Sequence, residues 1–81
     1  LLSSPAFKIY PNPNSGKFTI SGNSELGSIE VYNSLGEQIF SNSKDDQGSS
    51  AQINLSKSDR GIYFVRIHHG NQSDIQKVVV Q

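Results

Sequence analysis

From Phe7 onward the chain alternates apolar and polar residues with a period of two, in short runs broken by clusters of Gly, Asn, Ser and Asp. A strand sends successive side chains to opposite faces, so each run buries one face and wets the other. Phe7 and Ile9 alternate with Lys8 and Tyr10, Phe18 and Ile20 with Lys17, Thr19 and Ser21, and Ile29 and Val31 with Ser28, Glu30 and Tyr32. Further on, Ile39 sits between Gln38 and Phe40, and Ile53 and Leu55 flank Asn54. Tyr63, Val65 and Ile67 then interleave with Ile62, Phe64, Arg66 and His68, before a last run from Ile75 to Val80. No stretch of similar length carries the period of an amphipathic helix.

Seven such runs, spaced by turn signals, predict an all-β domain: an immunoglobulin-like β-sandwich of about seven antiparallel strands. Pro11-Asn12-Pro13-Asn14-Ser15-Gly16 reads as a chain reversal set by two fixed φ angles and a permissive glycine. Asn33-Ser34-Leu35-Gly36 reads as a short hairpin loop and Gly70-Asn71 as a two-residue primed turn. Ser56 to Gly61 suits a single helical turn ended by Gly61. Lys44 to Ser50 is the most polar stretch and is expected to be an exposed loop. The core is expected to hold Ile29, Val31, Tyr63, Val65 and Ile67, with Glu30 and Arg66 outside it.

Composition narrows the function classes. At 81 residues the chain is one domain whose core must be economical. Seven basic and seven acidic side chains cancel, which leaves no basic footprint for nucleic acid and no polybasic patch for anionic lipid. The chain holds no cysteine, so disulfides, thiolate nucleophiles and zinc clusters are absent. The adjacent Asp45 and Asp46 lack the spacing of a calcium loop, and no cofactor motif is present. His68 and His69 are strand neighbours pointing to opposite faces and cannot join one site. No nucleophile-elbow pattern accompanies the serines, so catalysis is not expected. A glycan-binding sandwich would need exposed flat aromatics. There is no Trp, and Tyr10, Tyr32, Phe40 and Phe64 are the rings out of phase with the apolar faces, each better read as packing over a sheet edge or loop. Asn54-Leu55-Ser56 and Asn71-Gln72-Ser73 match a glycosylation acceptor pattern that is frequent by chance. The chain has no methionine and begins Leu1-Leu2-Ser3-Ser4-Pro5, from which we expect the tail of a longer parent.

Four pieces in order carry a more specific signal. Ile9-Tyr10-Pro11-Asn12-Pro13 with Gly16 comes first, then Ile29-Glu30-Val31-Tyr32-Asn33 with Gly36. Gly61-Ile62-Tyr63-Phe64-Val65-Arg66-Ile67 and Gln76-Lys77-Val78-Val79-Val80 follow. Together they resemble the C-terminal sorting domain of the type IX (Por) secretion system of Bacteroidota, over nearly the whole chain from Phe7 to Gln81. The resemblance implies residues 1–6 as a linker remnant to an upstream cargo and residues 7–81 as the sorting domain. It implies a non-enzymatic address label with no cofactor, which crosses the periplasm and ends at the outer-membrane surface or outside the cell. The implied partners are an outer-membrane shuttle barrel and a sortase that removes the tail. Neither nucleic acid nor direct membrane insertion is implied, and the domain is expected to act as a monomer.

Carried over by position, Pro11, Asn12, Pro13 and Gly16 form the first sorting motif, Gly61 and Tyr63 the second, and Lys77, Val78, Val79, Val80 and Gln81 the terminal one. Asn33 stands where the family often has Asp, and Gln81 where a basic residue is frequent. In an extended strand Val79 faces away from Val78 and Val80, so surplus apolar surface is expected at a free terminal strand, open to capture by a partner. The alternative from a different class is a glycan- or protein-binding sandwich appended to a secreted enzyme or adhesin.

Overall fold

The period-2 runs become β1 (Phe7–Tyr10), β2 (Lys17–Gly22), β3 (Ile29–Asn33), β4 (Gln38–Asn42), β5 (Ser50–Asn54), β6 (Gly61–His69) and β7 (Gln72–Val80) in a computed structural model that describes residues 7–23, 25–42 and 48–81. All pairings between these strands are antiparallel and form two sheets, one ordered β1-β2-β5 and the other β4-β3-β6-β7, while Asn14 makes an isolated parallel bridge to Val80. β5 returns beside β2, and β6 beside β3, the crossing that makes an immunoglobulin-like sandwich out of sequential hairpins. No helix occurs among the described residues.

The inward faces are those the alternation predicts. Phe7, Ile9, Phe18, Ile20 and Ile53 from the first sheet meet Ile29, Val31, Tyr63, Val65, Ile67, Val78 and Val80 from the second, with Leu55 closing one end. Burying each such aliphatic side chain stabilises the fold by about 1.5 to 3 kcal/mol, the driving force available to a domain without disulfides. Leu26 joins this core from the β2–β3 connection, whose Leu26 N–H donates to Gly48 and Gly27 N–H to His68. No alternation flags Leu26, because a single apolar residue between strands has no period.

Two local expectations need correction. Ile39 is exposed and Phe40 packs against the core, because a register shift beside Val31 and Tyr32 pairs Val31 with Phe40 and Tyr32 with Gln38, leaving Ile39 as the extra residue of a bulge. The Ser56–Gly61 segment is a turn rather than a helical turn: Ser58 N–H donates to the Leu55 carbonyl at 2.8 Å, and the chain bends at Ser58 and Arg60 before entering β6. The hairpin turns agree with the sequence. Asn33 Oδ1 accepts from Leu35 and Glu37 N–H, and Gly70 at φ +61 opens a two-residue loop between paired His69 and Gln72. Of the polar loop, Ser50 already lies in β5, and residues 44–47 fall outside the described residues.

Candidate functional site

The Pro11–Gly16 turn carries the chain from β1 to β2 and folds across the end of β7. Both prolines follow cis peptide bonds. The Asn12 side chain reads the β7 edge as a strand would: its amide nitrogen donates to the Lys77 carbonyl at 3.0 Å, and its Oδ1 accepts from Val79 N–H at 3.0 Å. Asn14 continues the contact through its backbone, donating to the Val79 carbonyl at 3.0 Å and accepting from Gln81 N–H at 2.8 Å. The terminal strand is therefore held on both edges, by β6 and by this turn.

What fixes the turn is Asn14, the one polar side chain buried among the described residues. Its nitrogen donates to the Pro11 carbonyl at 2.9 Å and its Oδ1 accepts from Gly16 N–H at 2.8 Å, so a buried amide is satisfied on both sides. Gly16 sits at φ +115 and its carbonyl accepts from Leu55 N–H at 2.6 Å. A Cβ there would stand 2.8 Å from the Ser56 backbone, so no side chain fits. Asn14 was not among the sequence-nominated site residues. The signal was present, since an Asn two residues before a Gly is the pattern of an Asx turn.

The second motif completes the same end of the sandwich. Gly61 pairs with Val80, Ile62 with Val79 and Tyr63 with Val78. Gly61 holds φ +148, a backbone conformation that disfavours a side chain. Tyr63 buries its ring, and its hydroxyl donates to the Asp59 carbonyl four residues upstream, tying the turn before β6 to the core. The structure thus brings all three sequence-nominated stretches together around the last residues of β7. Gly16, Tyr63, Val78 and Val80 are buried, Val79 is half-buried, and Pro11, Asn12, Pro13, Lys77 and Gln81 are exposed. The expected free, surplus end is corrected: Val78 and Val80 belong to the core, and the Asn12–Asn14 segment occupies the edge beside Val79.

A second cluster lies on the outer face of the four-stranded sheet, and the alternation did not single it out. Glu30 Oε1 accepts from the Tyr32 hydroxyl at 2.9 Å and lies 3.4 Å from His68 Nε2, while the Arg66 guanidinium stands 5.9 Å from the Tyr32 ring centroid. The Tyr32 hydrogen bond, helped by His68 and Arg66, holds the Glu30 carboxyl below its ordinary range, and the same bond to Glu30 raises the Tyr32 hydroxyl above its own against the opposing charge of Arg66. Glu30 and Arg66 stay out of the core, as expected, and are half-buried because β3 and β6 are central strands whose outer faces crowd one another. His68 and His69 do point to opposite faces: His69 Nε2 lies 2.7 Å from the Asp74 carboxylate, across the β6–β7 hairpin. No serine hydroxyl bonds either histidine among the described residues, and no group of three His, Cys, Asp or Glu there could hold a metal ion.

No curated protein matches the chain. The family model described as the secretion system C-terminal sorting domain matches residues 8–81, which takes in β2 to β7 whole, β1 from Lys8 onward, and all three convergent stretches. The chain belongs to that family, the C-terminal sorting domains of the type IX secretion system.

Proposed function

We propose that the chain is a non-enzymatic sorting signal that directs a larger cargo through the periplasm and the type IX translocon to the cell surface. In this reading an outer-membrane shuttle barrel receives residues 7–81, and a sortase cuts within or before residues 1–6. The observation that carries it is the meeting of three motifs, far apart in sequence, around one strand end. Pro11, Pro13, Lys77 and Val79 present their side chains there over a backbone fixed by Asn14 and Gly16. An end hydrogen-bonded on both edges of β7 offers a partner a surface whose ordering cost is already met within the fold.

The test is export. The chain fused behind a signal peptide and a passive fluorescent cargo is expected to bring that cargo to the surface in a host with the type IX machinery and to leave it in the periplasm without it. Equal export in both hosts overturns the reading. Removing Val80 and Gln81 cannot separate recognition from folding, since Val80 is buried and Gln81 N–H is bonded to Asn14. Replacing the outward pair, Lys77→Ala with Val79→Ser, can. That variant is expected to lose export while stability falls by no more than about 1 kcal/mol, as usual for changes outside the core. Normal export of it refutes recognition at this end.

A further inference from the structure

We propose that the outer face of the three-stranded sheet binds an acidic polysaccharide, a role that goes beyond sorting and does not depend on it. The strand register sets the face out in rows. Lys8 lies beside Ser21 and Ser50, Tyr10 beside Thr19 and Gln52, and Lys17 beside Asn54. Along the Thr19 and Lys17 rows runs an open cleft of about 460 Å³ whose lining includes Pro11, Lys17, Thr19, Gln52 and Asn54. Tyr10, 51 % exposed, stands in the row of Thr19 and Gln52.

Each feature narrows the ligand. Thr19 and Gln52 make no side-chain hydrogen bond to another described residue, and Asn54 uses only its Oδ1, on Ser56 N–H. A hydroxyl and two amides are thus left to donate and accept in turn, as sugar hydroxyls require. The exposed tyrosine ring offers a flat apolar surface with a polar tip. Two lysines flank the Tyr10 row at opposite ends of the strands, and the face carries no carboxylate among the residues of β1, β2 and β5. A chain bearing carboxylate or sulfate groups would meet a cation on either side of the ring. A peptide would want apolar anchors, and the exposed Ile62, Phe64 and Ile75 lie on the other sheet. Two lysines on a chain of net charge +0 are too few for a nucleic-acid backbone.

The experiment is an amide-resolved nuclear magnetic resonance titration of the full 81-residue chain with polygalacturonate fragments, dextran as the neutral control and dextran sulfate as a second acidic probe. Shifts are expected on β1, β2 and β5 with both acidic probes, weakening as salt rises. Dextran is expected to give none. Tyr10→Ala should weaken binding about five- to tenfold through the lost ring contact. The double variant Lys8→Gln, Lys17→Gln should abolish the preference for acidic chains. Because these side chains are exposed, unchanged thermal midpoints and amide spectra establish that the variants still fold. No shift with either acidic probe, shifts centred on Phe64 and Ile75, or binding by the double-lysine variant equal to that of the parent chain would each overturn the proposal.

Discussion

The two halves of β7 run in one strand and pair with one neighbour, yet they live in different surroundings. From Lys77 to Val80 the strand is held on both edges, and Val78 and Val80 are sunk in the core. From Gln72 to Gln76, among the described residues, only β6 holds it along the backbone, Ile75 is 55 % exposed, and the Gln76 side chain donates to the Phe7 carbonyl at 2.9 Å. The lesson is that a strand's outer edge can be closed by side-chain amides and a turn as well as by another strand. Closing it converts an aggregation-prone edge into a defined surface. The motif residues gather at the closed half.

The contrast can be broken first at Gly16. Gly16→Val would drive a Cβ into the Ser56 backbone at a φ that valine avoids, and is expected to cost about 3 kcal/mol or more. Denaturant unfolding checks it, and a loss below about 1 kcal/mol would mean that the turn relaxes freely. Next, the two halves are compared directly. Val78→Ala should cost about 2 kcal/mol by lost burial and a residual cavity, whereas Ile75→Ala should stay within about 0.5 kcal/mol. Similar losses at the two positions would remove the distinction.

A smaller effect sharpens it. Asn14→Ala leaves the Pro11 carbonyl and Gly16 N–H without their partner and is expected to cost about 1 to 2 kcal/mol. Hydrogen exchange supplies a second readout. Val79 and Gln81 N–H donate to the turn, so their amides should exchange slowly in the parent chain and faster in Asn14→Ala. The Ile75 amide has the same parity along the strand and faces the open edge, so it should exchange fast in both.

The smallest expected effect concerns the polar cluster beside the open half, where Arg66 pairs with Ile75. The Glu30 carboxyl is depressed when folded, so its contribution is present above the ordinary carboxylate range and is lost as pH falls through the lowered value. The Tyr32 hydroxyl is raised, so its contribution is present below the ordinary tyrosine range and is lost as pH climbs through the raised value. Glu30→Gln should therefore flatten the acid limb of a thermal-midpoint profile, and an unchanged acid limb would show that the Tyr32 bond does not persist in solution.

Much of this was legible in the chain. Period-2 alternation fixes which face of β1, β2, β3, β5 and β6 turns inward, because a side chain's face follows from its parity and needs no knowledge of its partner. The Pro, Asn and Gly clusters mark the reversals because their own φ preferences act within a few residues. The resemblance nominated the three stretches that the fold brings together at the end of β7. Parity alone could not place Ile39 and Phe40, since a bulge changes the count on one strand relative to its neighbour and is visible only once β3 and β4 are paired.

The terminal strand shows where local information ends. The sequence by itself determined that Val79 faces away from Val78 and Val80, a consequence of backbone geometry. Tertiary structure alone decided which set goes inward and that the strand's outer edge is closed from Lys77 onward. Both depend on Asn12 and Asn14 reaching residues more than sixty positions away, the separation being 65 for Asn12 and Lys77 and 67 for Asn12 and Val79. Contacts of that span leave no periodicity in the chain, because they are set by how the two sheets stack and not by the conformation of any short segment.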